Sequence, residues 1–250
     1  MAAARVTLVH GFLGSPADWA DVLANLAVGI ACDCVALADL GCASVDEASA
    51  QLAARLERSP CDLLVGYSLG GRIALELAAS RPELVPRLAL FAAGMGIEDA
   101  NERAVRASED DRRAEDLRVH GLERFIDAWY AMPLFADFRG CPAFAATRAR
   151  RLAGNAEFWA RCVSGCSAGR TRPRWDALPA LASRTVLVVG ERDERYAAAS
   201  ERARRTAPEL RVETVSASGH ALPLESPARC ARIIEEALCL PIRTTSRDFA

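Results

Sequence analysis

Val65-Gly66-Tyr67-Ser68-Leu69-Gly70-Gly71-Arg72 follows the apolar run Cys61–Val65 and opens a stretch with helical periodicity. Gly-x-Ser-x-Gly between a strand and a helix describes a sharp turn that holds a serine hydroxyl clear of a sheet. Bulk beside that serine would clash in so tight a bend, which is why its neighbours are glycines. Ser68 is therefore the candidate nucleophile or base, the alternative being a serine that only shapes a turn. On either side of this junction, short β-branched or apolar runs alternate with longer amphipathic ones. Strands are expected at Arg5–His10, Ile30–Ala38, Asp62–Gly66, Arg87–Ala93, Thr185–Gly190 and Arg211–Ser216. Helices are expected from Ser15-Pro16 to about Leu26, over Val45–Arg58, just after Ser68, and from Pro227 to Leu238. That alternation predicts an α/β fold with a mostly parallel sheet covered on both faces.

The alternation stops between Gly96 and about Arg172, where only helical periodicity is found: Asn101–Arg118, Leu122–Ala131, Pro142–Arg151 and Ala156–Val163. An insertion made of helices alone reads as a lid over the carboxyl ends of the strands, where open α/β sheets bind ligands. The expected division is a core of residues 1–95 and 173–242, a lid of residues 96–172, and a flexible tail at 243–250.

Composition narrows the function. The chain has 250 residues, 51% of them hydrophobic, and a net charge of −2. That is enough for one large core, and no field of one sign points to nucleic acid or an anionic membrane. All 31 basic residues are arginine. Codon bias explains such a total, while chemistry explains particular positions, because a guanidinium grips a planar carboxylate better than an ammonium does. The nine cysteines are odd in number, contain no Cys-x-x-Cys, and lie mostly in apolar runs. They read as reduced, buried thiols of a cytoplasmic protein. With three histidines, none at ligand spacing from a cysteine pair, no metal site is expected. The N-terminus carries no apolar leader, and no segment reaches membrane-spanning length.

A serine hydroxyl needs a base. His220, in Ser218-Gly219-His220 after the last strand, occupies the position that the chain order Ser…Asp…His requires. His120 lies in a charged helical stretch. His10 ends the first strand before Gly11-Phe12-Leu13-Gly14, where it more naturally shapes a loop. The orienting acid is expected in Gly190-Glu191-Arg192-Asp193: Asp193 fits the spacing, and Glu191 is the fallback. The backbone N–H groups of Phe12 and Leu69 are the candidate oxyanion donors.

Taken with Asn101-Glu-Arg-Ala-Val-Arg106, Trp129-Tyr130, Pro133, Phe135 and Gly190-Glu-Arg-Asp193, the Ser68 stretch resembles the 2-succinyl-6-hydroxy-2,4-cyclohexadiene-1-carboxylate (SHCHC) synthases of menaquinone biosynthesis. The likeness spans nearly the whole chain, and the lid is its specific part. It implies an α/β-hydrolase fold that works as a lyase: the Ser-His-Asp set removes a proton, and pyruvate leaves without hydrolysis. It also implies a substrate with several carboxylates, bound by Arg72, Arg106 and Arg151, with Tyr67 and Trp129 lining the pocket. Arg148 and Arg150 compete with Arg151 for that place. The chain departs from the family pattern at Ala38-Asp39-Leu40-Gly41-Cys42-Ala43-Ser44, where relatives usually carry Asp-Leu-Pro-Gly-His-Gly-x-Ser. It also has only four residues before its first strand, and it lacks a second histidine after His220.

Two other readings compete. One is a carboxylesterase or thioesterase in which Ser68 is an acyl nucleophile, although a pocket for neutral acyl chains has little use for converging arginines. The other is a binding protein on a retired enzyme scaffold, which would be expected to have lost one of Ser68, Asp193 and His220. The chemistry needs only these side chains, so no cofactor is expected, and the expected partner is a small polycarboxylate substrate.

Overall fold

The computed structural model of the chain describes residues 3–242; the tail expected at 243–250 lies outside the described residues. In chain order the elements are β1 (Ala4–Val9), α1 (Ala20–Ala24), β2 (Ile30–Val35), α2 (Val45–Arg58), β3 (Leu63–Tyr67), α3 (Leu69–Ser80) and β4 (Leu88–Phe91). Four helices follow with no strand between them: α4 (Ala100–Ala131), α5 (Ala136–Arg139), α6 (Phe144–Leu152) and α7 (Ala156–Gly165). Then come α8 (Leu178–Leu181), β5 (Thr185–Gly190), α9 (Glu194–Thr206), β6 (Arg211–Val215), α10 (Leu222–Glu225) and α11 (Pro227–Ala237).

The six strands form one parallel sheet in the order β2-β1-β3-β4-β5-β6. Alternation along the strands sends successive side chains to opposite faces. Leu64, Leu88, Leu90, Leu187 and Val189 pack with Leu52 and Leu56 of α2 and Ile73 and Leu77 of α3. Leu63, Val65, Ala89, Phe91, Val186 and Val188 pack on the other face with Val22 of α1 and Ile233 and Ile234 of α11. Because every strand runs the same way, the residues that follow β1, β3, β5 and β6 emerge at one edge of the sheet. The chain is an α/β-hydrolase fold. Among the described residues no helix is long and apolar enough to cross a membrane.

All six expected strands form, five of them with ends shifted by one to three residues. β2 ends at Val35 because Leu37–Leu40 winds into a 3-10 turn, and the Leu37 N–H donates to His10 Nε2 at 3.1 Å rather than to a strand. The helix expected from Pro16 to Leu26 divides into a 3-10 turn, Pro16–Trp19, and the five-residue α1. In the insertion, the two helices expected at Asn101–Arg118 and Leu122–Ala131 both form and abut without a loop as the two halves of α4, joined at the non-helical Gly121 (φ 80°, ψ 174°). The short α5 carried too few residues for its period to be read.

Candidate active site

Ser68 links β3 to α3 with φ 52° and ψ −110°, a conformation that lifts its side chain off the sheet edge. The turn closes only because its neighbours lack side chains. A Cβ on Gly70 would sit 2.3 Å from the Val9 carbonyl oxygen, and one on Gly66 would sit 2.5 Å from that of Gly70.

His220 arrives from the loop after β6. Its Nε2 lies 3.1 Å from Ser68 Oγ, and its Nδ1 lies 2.7 Å from Asp193 Oδ2. A carboxylate only accepts, so Nδ1 carries the proton and Nε2 is left to accept from the serine hydroxyl. Asp193 caps α9, its Oδ1 accepting from the Tyr196 N–H at 3.3 Å. His220 and Asp193 are both buried, so the hydrogen bond between them is shielded from water. Glu191, the fallback acid, is exposed and accepts from the Ala217 N–H instead.

A residue that sequence reasoning missed holds this loop. Glu225 accepts from the backbone N–H groups of Gly219 and Ala221, on either side of His220. Burial pushes its carboxyl above the usual range against the pull of those bonds. Bonds to main-chain donors leave no side-chain spacing to find; proximity to His220 was the only signal.

His10 shapes the loop after β1. It donates from Nδ1 to the Gly11 carbonyl at 2.9 Å and accepts the Leu37 N–H at Nε2. Burial lowers its pKa to about 4, which keeps the ring neutral. Beyond it, neither the Phe12 nor the Leu69 N–H donates to another group among the described residues. Leu69 opens α3, where an N–H has no partner within the helix. Two free donors therefore flank the Ser68 turn.

A cavity of about 250 Å³ opens over Ser68 and His220. Phe12, Tyr67, Trp129 and Phe135 form much of its apolar wall, and the Trp129 ring lies tilted against Phe12 with centroids 4.9 Å apart. Burial raises the Tyr67 phenol, which stays neutral. Five arginines line the cavity (72, 106, 113, 151 and 195) against one aspartate, Asp110. Arg72 donates to the Cys166 carbonyl at 2.7 Å and to Thr171 Oγ1 at 3.4 Å, and no carboxylate pairs with it among the described residues. Burial pushes its guanidinium down, but an arginine remains charged. Arg106 spends only its Nε on Asp110, at 2.8 Å, and Asp110 also takes Arg113 at 2.5 Å and Ser167 at 2.6 Å. Arg113 and Arg195 were not singled out from the sequence.

Arg151 stands differently. It lines the cavity but gives both terminal nitrogens to Asp18, at 2.8 and 2.6 Å, with each partner no more than 4% exposed. Of its competitors, Arg148 pairs with Asp127 at 2.6 Å, and Arg150 donates to Thr147 at 3.0 Å and also reaches Asp18, at 3.5 Å. The arrangement as a whole can move a proton through Ser68, receive negative charge at two N–H groups, and hold an anion at Arg72 and Arg106.

The chain belongs to the alpha/beta hydrolase family, whose model matches residues 8–233. Within that family it is similar to the SHCHC synthase of Enterobacter sp. (strain 638), with 30% identity over 95% of this chain and 93% of that protein. A Bacillus subtilis (strain 168) protein that carries the same name provisionally is 30% identical over 70% of this chain. The chain spans about two thirds of that relative's length, 65%, and 14% of the PHYLLO protein of Arabidopsis thaliana, to which it is 27% identical. In three dimensions it superposes on MenH from S. aureus with a TM-score of 0.87, covering 94% of this chain and 93% of that one at 23% identity.

Proposed function

We propose that the chain eliminates pyruvate from 2-succinyl-5-enolpyruvyl-6-hydroxy-3-cyclohexene-1-carboxylate to give SHCHC, with Ser68, His220 and Asp193 acting as a base. The observation that carries this reading is the juxtaposition of a serine–histidine–aspartate relay with a surplus of arginine in one small cavity. His220 Nε2 takes the Ser68 proton, and Ser68 Oγ takes a proton from the substrate carbon beside a carbonyl. The carbonyl oxygen gathers negative charge between the Phe12 and Leu69 N–H groups. As that charge returns, the bond to the enolpyruvyl oxygen breaks, and the departing enolate takes the proton held by His220 to become pyruvate, which resets the relay. Asp193 stabilises the imidazolium in between. Arg72 and Arg106 hold the carboxylates, and Tyr67 and Trp129 form the wall against which the ring rests. The names of the relatives point to the same reaction, and a soluble biosynthetic enzyme of this kind works in the cytoplasm.

A carboxylesterase would use the same three residues but would gain little from uncompensated guanidinium groups. The test is pyruvate release by Ser68→Ala and His220→Ala. Each should fall by about 10³-fold or more with the fold intact, and intact-protein mass during turnover should show no adduct on Ser68. A variant that keeps most of its activity would remove the relay from the mechanism.

A further inference from the structure

Three buried thiols meet at the cavity wall. Cys42 comes from the loop after β2, and Cys162 and Cys166 stand one turn apart at the end of α7. Their sulfurs lie within 4.8 Å of one another. An ion bound to three sulfurs at about 2.3 Å, the zinc–thiolate length, holds those sulfurs about 4 Å apart. The cluster is thus within a side-chain adjustment of trigonal coordination. Cys162 and Cys166 line the cavity, which gives an ion a path inward. Charge also fits: three thiolates around a divalent ion carry one net negative charge, and Arg72, bonded to the Cys166 carbonyl, has no carboxylate of its own among the described residues. The thiols also make weak bonds, from Cys42 to the Leu37 carbonyl at 3.2 Å and from Cys166 to the Cys42 carbonyl at 3.3 Å.

We propose that Cys42, Cys162 and Cys166 form a three-thiolate site for a thiophilic divalent ion of the zinc and cadmium class. All-sulfur ligation selects such ions over magnesium or calcium, which prefer oxygen. Binding displaces thiol protons, so affinity rises with pH. The six other cysteines belong to no such group among the described residues.

The experiment titrates the reduced, full-length chain with Cd²⁺ and follows the ultraviolet thiolate-to-cadmium charge-transfer band. The band should saturate at one equivalent and disappear when Zn²⁺ competes. Cys42→Ser, Cys162→Ser and Cys166→Ser should each weaken it by about tenfold or more, while a Cys32→Ser/Cys34→Ser variant keeps it. Serine preserves size and a hydrogen-bonding group, and circular dichroism verifies that each variant is folded. A folded Cys42→Ser chain with an undiminished band, or a wild-type band that never saturates, would overturn the site.

Discussion

Ser68 holds a backbone conformation that costs on the order of 1–3 kcal/mol for a residue with a side chain, and the parallel strands around it hold it there. Residues of this kind were legible because their chemistry demands fixed company: a serine after β3 needs a histidine after β6 and an acid after β5. Of three histidines only His220 is placed to serve, and the other two have other roles. His120 is exposed and lies 3.6 Å from Asp116 on its own helix. His10 is a neutral strut, and this has a pH signature. Its folded pKa of about 4 lies below the ordinary 6.5, so the unfolded chain binds the proton more readily. The stability that neutral His10 preserves is whole above pH 6.5, is lost as the pH falls toward about 4, and changes no further below that. The span corresponds to on the order of 3 kcal/mol. Urea unfolding of wild type and His10→Gln across that window should show a shallower slope for the variant; equal slopes would mean that His10 titrates normally. Glu225, by contrast, was not legible, since its partners are main-chain donors.

Helix α4 reverses its role along its length. Its first half carries Arg106 and Asp110, its second half carries Trp129 and Tyr130, and Gly121 sets the angle between the halves. Its φ of 80° and ψ of 174° belong to a region that only glycine enters freely. No atom lies within 4 Å of an added Cβ, so the cost of a side chain here is conformational rather than steric. Gly121→Ala should lower unfolding stability by about 1–3 kcal/mol and displace Trp129 from the cavity, with KM rising; an unchanged denaturation midpoint would show that the kink is not fixed by this residue. Helix periodicity showed both halves, but a pattern of apolar positions carries no bend angle. The arginines separate in the same way. Arg72→Gln and Arg106→Gln should each raise KM about 10–100-fold, the value of a charged hydrogen bond, with kcat changed less. A fall in kcat at constant KM would place them at the reacting centre instead.

Across the molecule, a buried ion pair ties the inserted helices to the sheet edge. Arg151 of α6 meets Asp18, which follows the Gly-rich loop carrying Phe12. Resemblance to the SHCHC synthases implies substrate contact for Arg151; the structure shows that its charge is already met by Asp18. Sequence could not join positions 133 residues apart when neither carries a motif, and the same holds for the Cys42–Cys162–Cys166 cluster. Removing one partner of such a pair leaves a bare buried charge and costs about 3–5 kcal/mol. Arg151→Gln should therefore lower the melting temperature markedly, whereas loss of substrate affinity with full stability would return Arg151 to a binding role. The fold itself was readable because six apolar runs at regular intervals admit few arrangements, and each of the six became a strand. The central claim, that this hydrolase scaffold performs an elimination, is tested most directly by giving the protein the succinylated enolpyruvyl cyclohexene precursor and, in parallel, a p-nitrophenyl ester. Rapid pyruvate release that depends on Ser68, with weak ester cleavage, is the expected result; rapid ester hydrolysis without pyruvate would contradict it and make Ser68 an acyl nucleophile.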